Sequence, residues 1–255
     1  MNKMPMYLGD HTVFTHLANG PRIFVDPRDP VCLEIAMSGL WEDYVTQVFI
    51  STVKSGMTVL DIGAHCGYYS LLAGMLVGPS GVVHAFEPNP FYHKNMLKSI
   101  SYNGFKGRVH LNRVAVSDTR GIMTLKTYGE GGASIFFPGA ESLNGVTETN
   151  VPTGLITDYL PGLKADVVKI DIDGGEPQIM DNLFQMIEAN GPMTIFFEYC
   201  PALWSNRDTG PILRRFAEHG FNYHILHRDF RVTGTTVEFL ESYRDIEHID
   251  LMLVR

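Results

Sequence analysis

Val59-Leu60-Asp61-Ile62-Gly63-Ala64-His65-Cys66-Gly67 is the stretch that decides the fold. The run from Met57 to Ile62 is short, apolar and β-branched, as a buried strand should be. It enters a glycine-containing turn, and helical periodicity starts just past Gly67, over Tyr68 to Val77. The same strand-then-helix order recurs downstream. Strands are expected at Val82 to Phe86, Val109 to Val114, Asp166 to Ile172, Met193 to Glu198, Asn222 to Leu226 and Ile249 to Val254. Helices are expected at Pro90 to Tyr102, Glu176 to Ala189 and Thr209 to His219. Their ends carry the usual signals: Pro90 in a first turn, then Asn103-Gly104, Asn190-Gly191-Pro192 and Gly220 as stops. Alternating strands and helices imply a mainly parallel sheet covered on both faces. Right-handed crossovers make it doubly wound. The expected fold is therefore α/β, a Rossmann-like sheet of seven strands.

The pattern changes near Ser55-Gly56, so residues 1–55 are expected to form an N-terminal extension and 56–255 the main domain. Arg22 to Val25 reads as a short strand, ended by Asp26-Pro27 and Asp29-Pro30. Between Leu33 and Val53, Leu40, Tyr44, Val48, Phe49 and Val53 recur at helical spacing, with a break expected at Gly39. Gly121 to Thr127 reads as an added strand able to pair as a hairpin. The glycine-rich stretch 128–150 reads as a long loop, of the kind that is usually functional or mobile.

Bulk properties exclude several classes. With 45% hydrophobic and 19% charged residues the chain can bury a core, unlike a disordered protein. No apolar run reaches the roughly 18 residues of a membrane span, and Asp10, His11 and His16 interrupt any signal-peptide core. No membrane partner and a cytoplasmic location are expected. The net charge of −8 argues against a nucleic-acid partner. Lys94, Lys98, Lys106 and Arg108 read as a solvated helix face. Three widely spaced cysteines, Cys32, Cys66 and Cys200, suggest free thiols rather than a disulfide framework or a zinc site. A homo-oligomer is compatible with this composition.

In doubly wound sheets ligands bind beyond the carboxyl ends of the strands. There the spacing is Asp-x-Gly-x-x-x-Gly, Asp61 to Gly67. Glycines let such a turn approach a ligand closely. Glu87 ends the next strand, where a carboxylate can accept hydrogen bonds from both hydroxyls of a ribose. The tight pyrophosphate turn Gly-x-Gly-x-x-Gly is missing, since positions 61 and 66 are not glycine. A nucleoside without a diphosphate fits better, which favours S-adenosyl-L-methionine over NAD.

Val59 to Ser70 resembles motif I of class I methyltransferases, and the wider pattern resembles the FkbM family of methyltransferases. The resemblance rests on Gly39-Leu40-Trp41-Glu42, Phe86-Glu87-Pro88-Asn89-Pro90, Ala115-Val116-Ser117-Asp118, Lys169-Ile170-Asp171-Ile172-Asp173-Gly174-Gly175-Glu176 and Glu198-Tyr199. It covers about residues 39–200. Asp173 stands where the family usually has Glu, and Gly175 where it usually has Ala.

The resemblance implies a role for each residue. Asp61, Gly63, Ala64 and Gly67 would shape the loop around the methionine part of the cofactor. Tyr68, Tyr69 and Ser70, opening a helix, would offer backbone N–H groups to its carboxylate. Glu87 would hold the ribose, with Pro88 beside it, and Ala115 would flank the adenine. Glu42 and Trp41 would cover the site, with Glu42 reaching the cofactor. Asp171 would lie near the sulfonium and the acceptor. Asp171, Glu198, His65 and His227 are the candidate bases. A less favoured route places Mg²⁺ on Asp171 and Glu198. Glu176 also suits a helix N-terminus as an acid. The resemblance implies transfer to a hydroxyl of a small molecule, such as a natural product, polyketide or sugar. An N-methyltransferase, an inactive nucleoside-binding module, an NAD-dependent oxidoreductase and a nucleic-acid methylase compete with it.

Overall fold

The computed structural model describes residues 4–128, 133–134, 145–159, 162, 164–204, 208–245 and 247–255. The N-terminal segment forms β1 (Met6–Tyr7), β2 (Val13–His16) and β3 (Arg22–Val25), one antiparallel sheet, then α1 (Pro30–Ser38) and α2 (Asp43–Thr52). The main sheet begins with β4 (Thr58–Ile62) and α3 (Tyr68–Leu76), followed by β5 (Val82–Phe86), α4 (Pro90–Tyr102) and β6 (Val109–Asn112). A small sheet follows from β7 (Ala115–Val116), β8 (Gly121–Tyr128), β9 (Ala133–Ser134) and β10 (Val146–Gly154). After the short α5 (Ile156–Tyr159) come β11 (Val167–Ile170), α6 (Met180–Glu188), β12 (Thr194–Tyr199) and α7 (Gly210–Glu218). The chain ends with β13 (Asn222–Leu226), β14 (Val232–Thr235), α8 (Val237–Ser242) and β15 (Ile249–Val254).

The main sheet has the order β14-β13-β15-β12-β11-β4-β5-β6. From β12 to β6 all neighbours are parallel, and β15 runs antiparallel between β12 and β13. The expected seven strands are all present; the eighth, β14, folds back on β13 as an edge hairpin. Residues alternate between two cores, one per face. Val59, Val83, Val109 and Phe196 pack with Phe49, Leu71, Met96 and the N-terminal Ile23, Val25 and Ile35. Leu60, Ile62, Val168, Ile195 and Phe197 pack against α6 and α7 through Leu183, Phe184 and Phe216. The N-terminal segment thus shares the core under α3. Among the described residues no helix is long and apolar enough to cross a membrane.

Local chemistry accounts for the element edges. Asp29 caps α1 by accepting from the Cys32 N–H, and Asn89 caps α4 from Phe91, each followed by a proline. Gly39 ends α1 at φ +74°, and a Cβ there would lie 2.7 Å from the His16 carbonyl oxygen, so the break between α1 and α2 needs glycine. Three expectations change. The strand expected to reach Val114 stops at Asn112, and Ala115–Val116 pair instead with β10. The end of the expected 128–150 loop is strand: Val146 to Thr153 pair antiparallel with Tyr128 back to Gly121, their β-branched residues making the ladder. The rest of that loop, 129–132 and 135–144, lies outside the described residues. The helix expected from Glu176 begins as a 3₁₀ turn over Glu176–Gln178 and turns α-helical only at Met180. There Pro177 has no N–H, and the Glu176 carboxylate folds back on the Ile172 N–H.

Candidate active site

The carboxyl ends of β12, β11, β4, β5 and β6 follow one another along the sheet edge, and a cavity of about 320 Å³ lies over them. That volume is in the range of small-ligand sites. Reading along the edge, its wall is Glu198, Asp171, Asp61, Glu87 and then Val114 and Ala115. The small sheet closes the apolar end with Val116, Met123 and Leu125, and the N-terminal segment adds Asp29, Ile35, Trp41 and Glu42.

Gly63 holds the turn after β4. Its φ is +87°, and a Cβ would stand 1.8 Å from the Asp171 carbonyl oxygen, so the ends of β4 and β11 touch through a missing side chain. The N–H groups of Gly63 and Ala64 donate to the Phe86 carbonyl, tying the same turn to β5. Asp61 is buried and accepts a 2.5 Å hydrogen bond from the Ser70 hydroxyl. Burial raises its pKa, opposed by the Lys169 ammonium and by Ser70. Gly67 and Ser70 lie behind the cavity wall: Gly67 caps α3 at φ +91° against Met96, while Tyr68 and Tyr69 face the cavity.

Glu87 is buried at the centre of the edge. One carboxylate oxygen accepts from the His65 N–H and the other from the Asn89 N–H, both at 2.7 Å. Burial pushes its pKa up to about 7, against the two N–H donors and the nearby His65. Each oxygen keeps a lone pair for a ligand hydroxyl.

Lys169 opens the Lys169–Glu176 run, whose resemblance assigns it no role. It sits in register with Asp61 on the neighbouring strand and is 6% exposed. Its ammonium donates to Asp171 at 2.6 Å and lies 4.6 Å from the centre of the Tyr69 ring. Burial would lower its pKa, but Asp171, Glu42 and Asp61 raise it well above the ordinary lysine value. Asp171, which burial would raise, is held below the usual carboxylate range by that ammonium. Glu42 adopts a left-handed backbone (φ +41°) at the start of α2 and accepts from the Tyr69 hydroxyl at 3.0 Å. Burial pushes Glu42 up to about 7 despite Lys169.

At the far end, Asp171, Asp173 and Glu198 place carboxylate oxygens within 4.8 Å of one another. Glu198 is pushed up to about 10 by burial and by Asp171, Asp173 and Glu176, so it keeps its proton at neutral pH. His248 lies 3.4 Å from Glu198 and from Asp250. Glu176 is buried behind this group, accepting from the Ile172 N–H and the Trp204 indole N–H; it braces the loop 171–176. Asp118 accepts from the Asn182 N–H at the start of α6, away from the cavity. His227 pairs with Thr233 in the β13–β14 hairpin, also away from it.

His65 lines the cavity beside Asp29 of the N-terminal segment. It stacks on Tyr92 with centroids 4.0 Å apart, and its Nε2 is 3.4 Å from Asp29. Cys32 and Cys66, distant in sequence, are brought beside it, and both are buried. A hydrogen bond with the Cys32 thiol, together with His65, lowers Cys66 to about 6, against burial.

The family model described as the methyltransferase FkbM domain matches residues 61–223. Among solved structures, the methyltransferase FkbM of Methylobacillus flagellatus KT superposes with TM-score 0.51 at 13% identity, over 81% of this chain and 48% of that one. TYW2 of M. jannaschii, solved in complex with AdoMet, gives TM-score 0.51 at 12% identity, over 98% of this chain and 87% of that one. At such identities the likeness is one of fold. No curated protein sequence matches significantly.

Proposed function

Because the chain belongs to the FkbM methyltransferase family, we propose that it transfers the methyl group of S-adenosylmethionine to a hydroxyl of a small molecule held in this same cavity. The observation that carries the reading is the order of groups along the sheet edge: an apolar slot, then Glu87, then Asp61, then the Lys169–Asp171 pair, then Glu198. The cofactor supplies a methyl group on a cationic sulfur. Phe86, Val114, Ala115 and Val116 form a slot suited to its adenine, flanked by Pro88. The two Glu87 oxygens would accept from its ribose hydroxyls. Asp61, Ala64 and the start of α3 at Tyr68 and Tyr69 surround its amino-acid end, where helix N–H groups favour a carboxylate. Glu42, Asp61, Asp171 and Asp173 line the cavity beside Lys169, the one buried lysine among the described residues, and this acidic lining suits a ligand carrying an ammonium and a sulfonium. Trp41 and Glu42 cover the amino-acid end and exclude water.

For the transfer, Asp171 is ionised at working pH and accepts the acceptor's hydroxyl proton. Glu198 carries its own proton and orients the acceptor as a hydrogen-bond donor. His65 is engaged with Asp29 and Tyr92, so it shapes the cofactor loop rather than serving as the base. A Mg²⁺ on Asp171, Asp173 and Glu198 is the competing arrangement. Lys169 already brings a positive charge to Asp171 at 2.6 Å, and the reaction is written with that ammonium in the metal's place. The acidic wall and the net charge of −8 disfavour a polyphosphate acceptor.

Two measurements test the reading. Calorimetric titration should show S-adenosylhomocysteine binding, weakened roughly 100-fold in Glu87→Gln, since two hydrogen bonds to a charged group amount to about 3 kcal/mol. Labelled cofactor incubated with a metabolite extract and, separately, with total tRNA should label a small molecule. No binding would sink the cofactor assignment; label in the tRNA alone would sink the acceptor class.

A further inference from the structure

A second cluster of ligating side chains lies at the cofactor loop, made of residues other than the Asp171–Asp173–Glu198 carboxylates. The sulfurs of Cys32 and Cys66 and a ring nitrogen of His65 are all within 4.8 Å of one another. Cys32 comes from the first turn of α1, His65 and Cys66 from the turn between β4 and α3. The two thiols are 0% and 3% exposed. Around a tetrahedral zinc ion, bond lengths of about 2.0–2.3 Å separate ligand atoms by about 3.3–3.8 Å. The three donors therefore need to draw in by no more than about 1–1.5 Å from that 4.8 Å bound.

The surroundings are those of a held ligand set. The Asp29 carboxylate stands 3.4 Å from His65 Nε2, as an outer carboxylate does when it orients a ligating imidazole. Asp29 is itself fixed by the Cys32 N–H at 2.8 Å and the Tyr92 hydroxyl at 3.0 Å, and Tyr92 stacks on the His65 ring. Two thiolates and a neutral imidazole around a dication carry no net charge, which lowers the cost of burying them. Thiolate donors select zinc-like cations over Mg²⁺ or Ca²⁺.

We propose that Cys32, His65 and Cys66 bind a thiophilic divalent cation of the zinc class. It pins the N-terminal segment to the cofactor loop, and the fourth coordination position is taken by water or by a group entering from the cavity. Because the His65 N–H also braces Glu87, the ion fixes the loop on which the central carboxylate rests. The inference is independent of the methyl-transfer reading.

The test uses the full chain, purified reduced and without a histidine tag, titrated with Zn²⁺ against a chromophoric chelator and separately with Co²⁺. One Zn²⁺ per chain is expected, with a near-ultraviolet sulfur-to-cobalt charge-transfer band and the visible absorption of a tetrahedral site. Cys32→Ser and Cys66→Ser should each weaken Zn²⁺ at least 100-fold, while Cys200→Ser leaves it unchanged. If the serine variants do not fold, the wild-type cobalt spectrum decides, since that band requires a thiolate. Reduced protein that takes up no stoichiometric zinc, or a cobalt spectrum without the band, overturns the site. So does a Cys32–Cys66 disulfide in the unreduced chain combined with no metal uptake after reduction, which would make the thiols a redox pair.

Discussion

Replacing Lys169 by Met removes one charge and keeps an unbranched stem whose thioether can pack on the Tyr69 ring in the ammonium's place. The ammonium it removes is the partner of Asp171 at 2.6 Å and the charge opposing the upward pressure on Glu42 and Asp61. Breaking a buried ion pair by deleting one partner costs about 3–5 kcal/mol. Taking the lower figure, about 3 kcal/mol, the loss amounts to roughly 6–12 °C in Tm for a chain of this size. Its pH dependence separates charge from packing. In the wild type Lys169 is raised, so its contribution persists to alkaline pH, and Asp171 is lowered, so its contribution persists down to the acid range. The pair is therefore constant between about pH 5 and 8. In the variant Glu42, Asp61 and Asp171 all titrate above their unfolded values. A carboxyl raised on folding destabilises above its unfolded pKa, and that penalty fades as pH falls. The difference in unfolding free energy between the two proteins should be greatest near pH 8 and shrink toward pH 5. Urea denaturation at four pH values across this range reads it directly. A deficit under about 1 kcal/mol, or one that does not change with pH, would refute the charge argument and leave Lys169 a packing residue. The same variant should discriminate more strongly between S-adenosylmethionine and S-adenosylhomocysteine, because the sulfonium then supplies part of the missing cation.

Three further outcomes follow from the same geometry. Asp171→Asn should lower kcat about 10²–10⁴-fold, the usual share of a general base, with S-adenosylhomocysteine affinity within a few-fold of wild type; unchanged kcat would remove it from the proton transfer. Added Mg²⁺ should not stimulate turnover, and a saturable increase with Mg²⁺ concentration would restore the metal route over Asp171, Asp173 and Glu198. Gly63→Ala should cost more than about 3 kcal/mol in thermal unfolding, since it combines a strained positive φ with a Cβ 1.8 Å from a backbone oxygen; a folded variant of near wild-type Tm would show that the β4 and β11 loops separate easily.

The parts of this molecule that are readable in one dimension are those whose signals are local. Val82–Phe86 and Pro90–Tyr102 coincide with their expected bounds because Asn89-Pro90 is both a cap and a first-turn signal. The β7–β10 sheet is only partly legible in the sequence because β10 is mostly polar on one face, so Val146 to Thr153 looks like loop until it has a partner in β8. The wall of the cavity divides in the same way. Asp61, Gly63, Ala64, Glu87, Pro88, Ala115, Asp171 and Glu198 fall at strand ends, where position follows from the alternation of elements. Ser70, from the same motif, spends its hydroxyl on Asp61 behind the cavity wall, because the first turn of a helix points its side chains around the axis, which spacing alone does not resolve.

What spacing could not supply is the pairing of distant segments. Lys169 and Asp61 are a registered pair on adjacent parallel strands, and both run from strand to cavity, so their charges meet inside the sheet edge. Glu42 joins them only because α1 and α2 dock over α3, a contact set by Phe49 against Tyr69 and Phe196 in the shared core. That docking also carries Asp29 and Cys32 to His65 and Cys66. One packing event therefore completes both the acidic cavity and the thiol cluster. A change that loosens α1 and α2 from α3 should be felt at both sites together, and one confined to the carboxylate end should leave the thiol cluster untouched. The N-terminal segment thus belongs to the chemistry of the cavity as well as to its cover: without Glu42, Lys169 loses one of the carboxylates that hold its charge in the interior, and the balance that suits the pocket to a cationic ligand shifts.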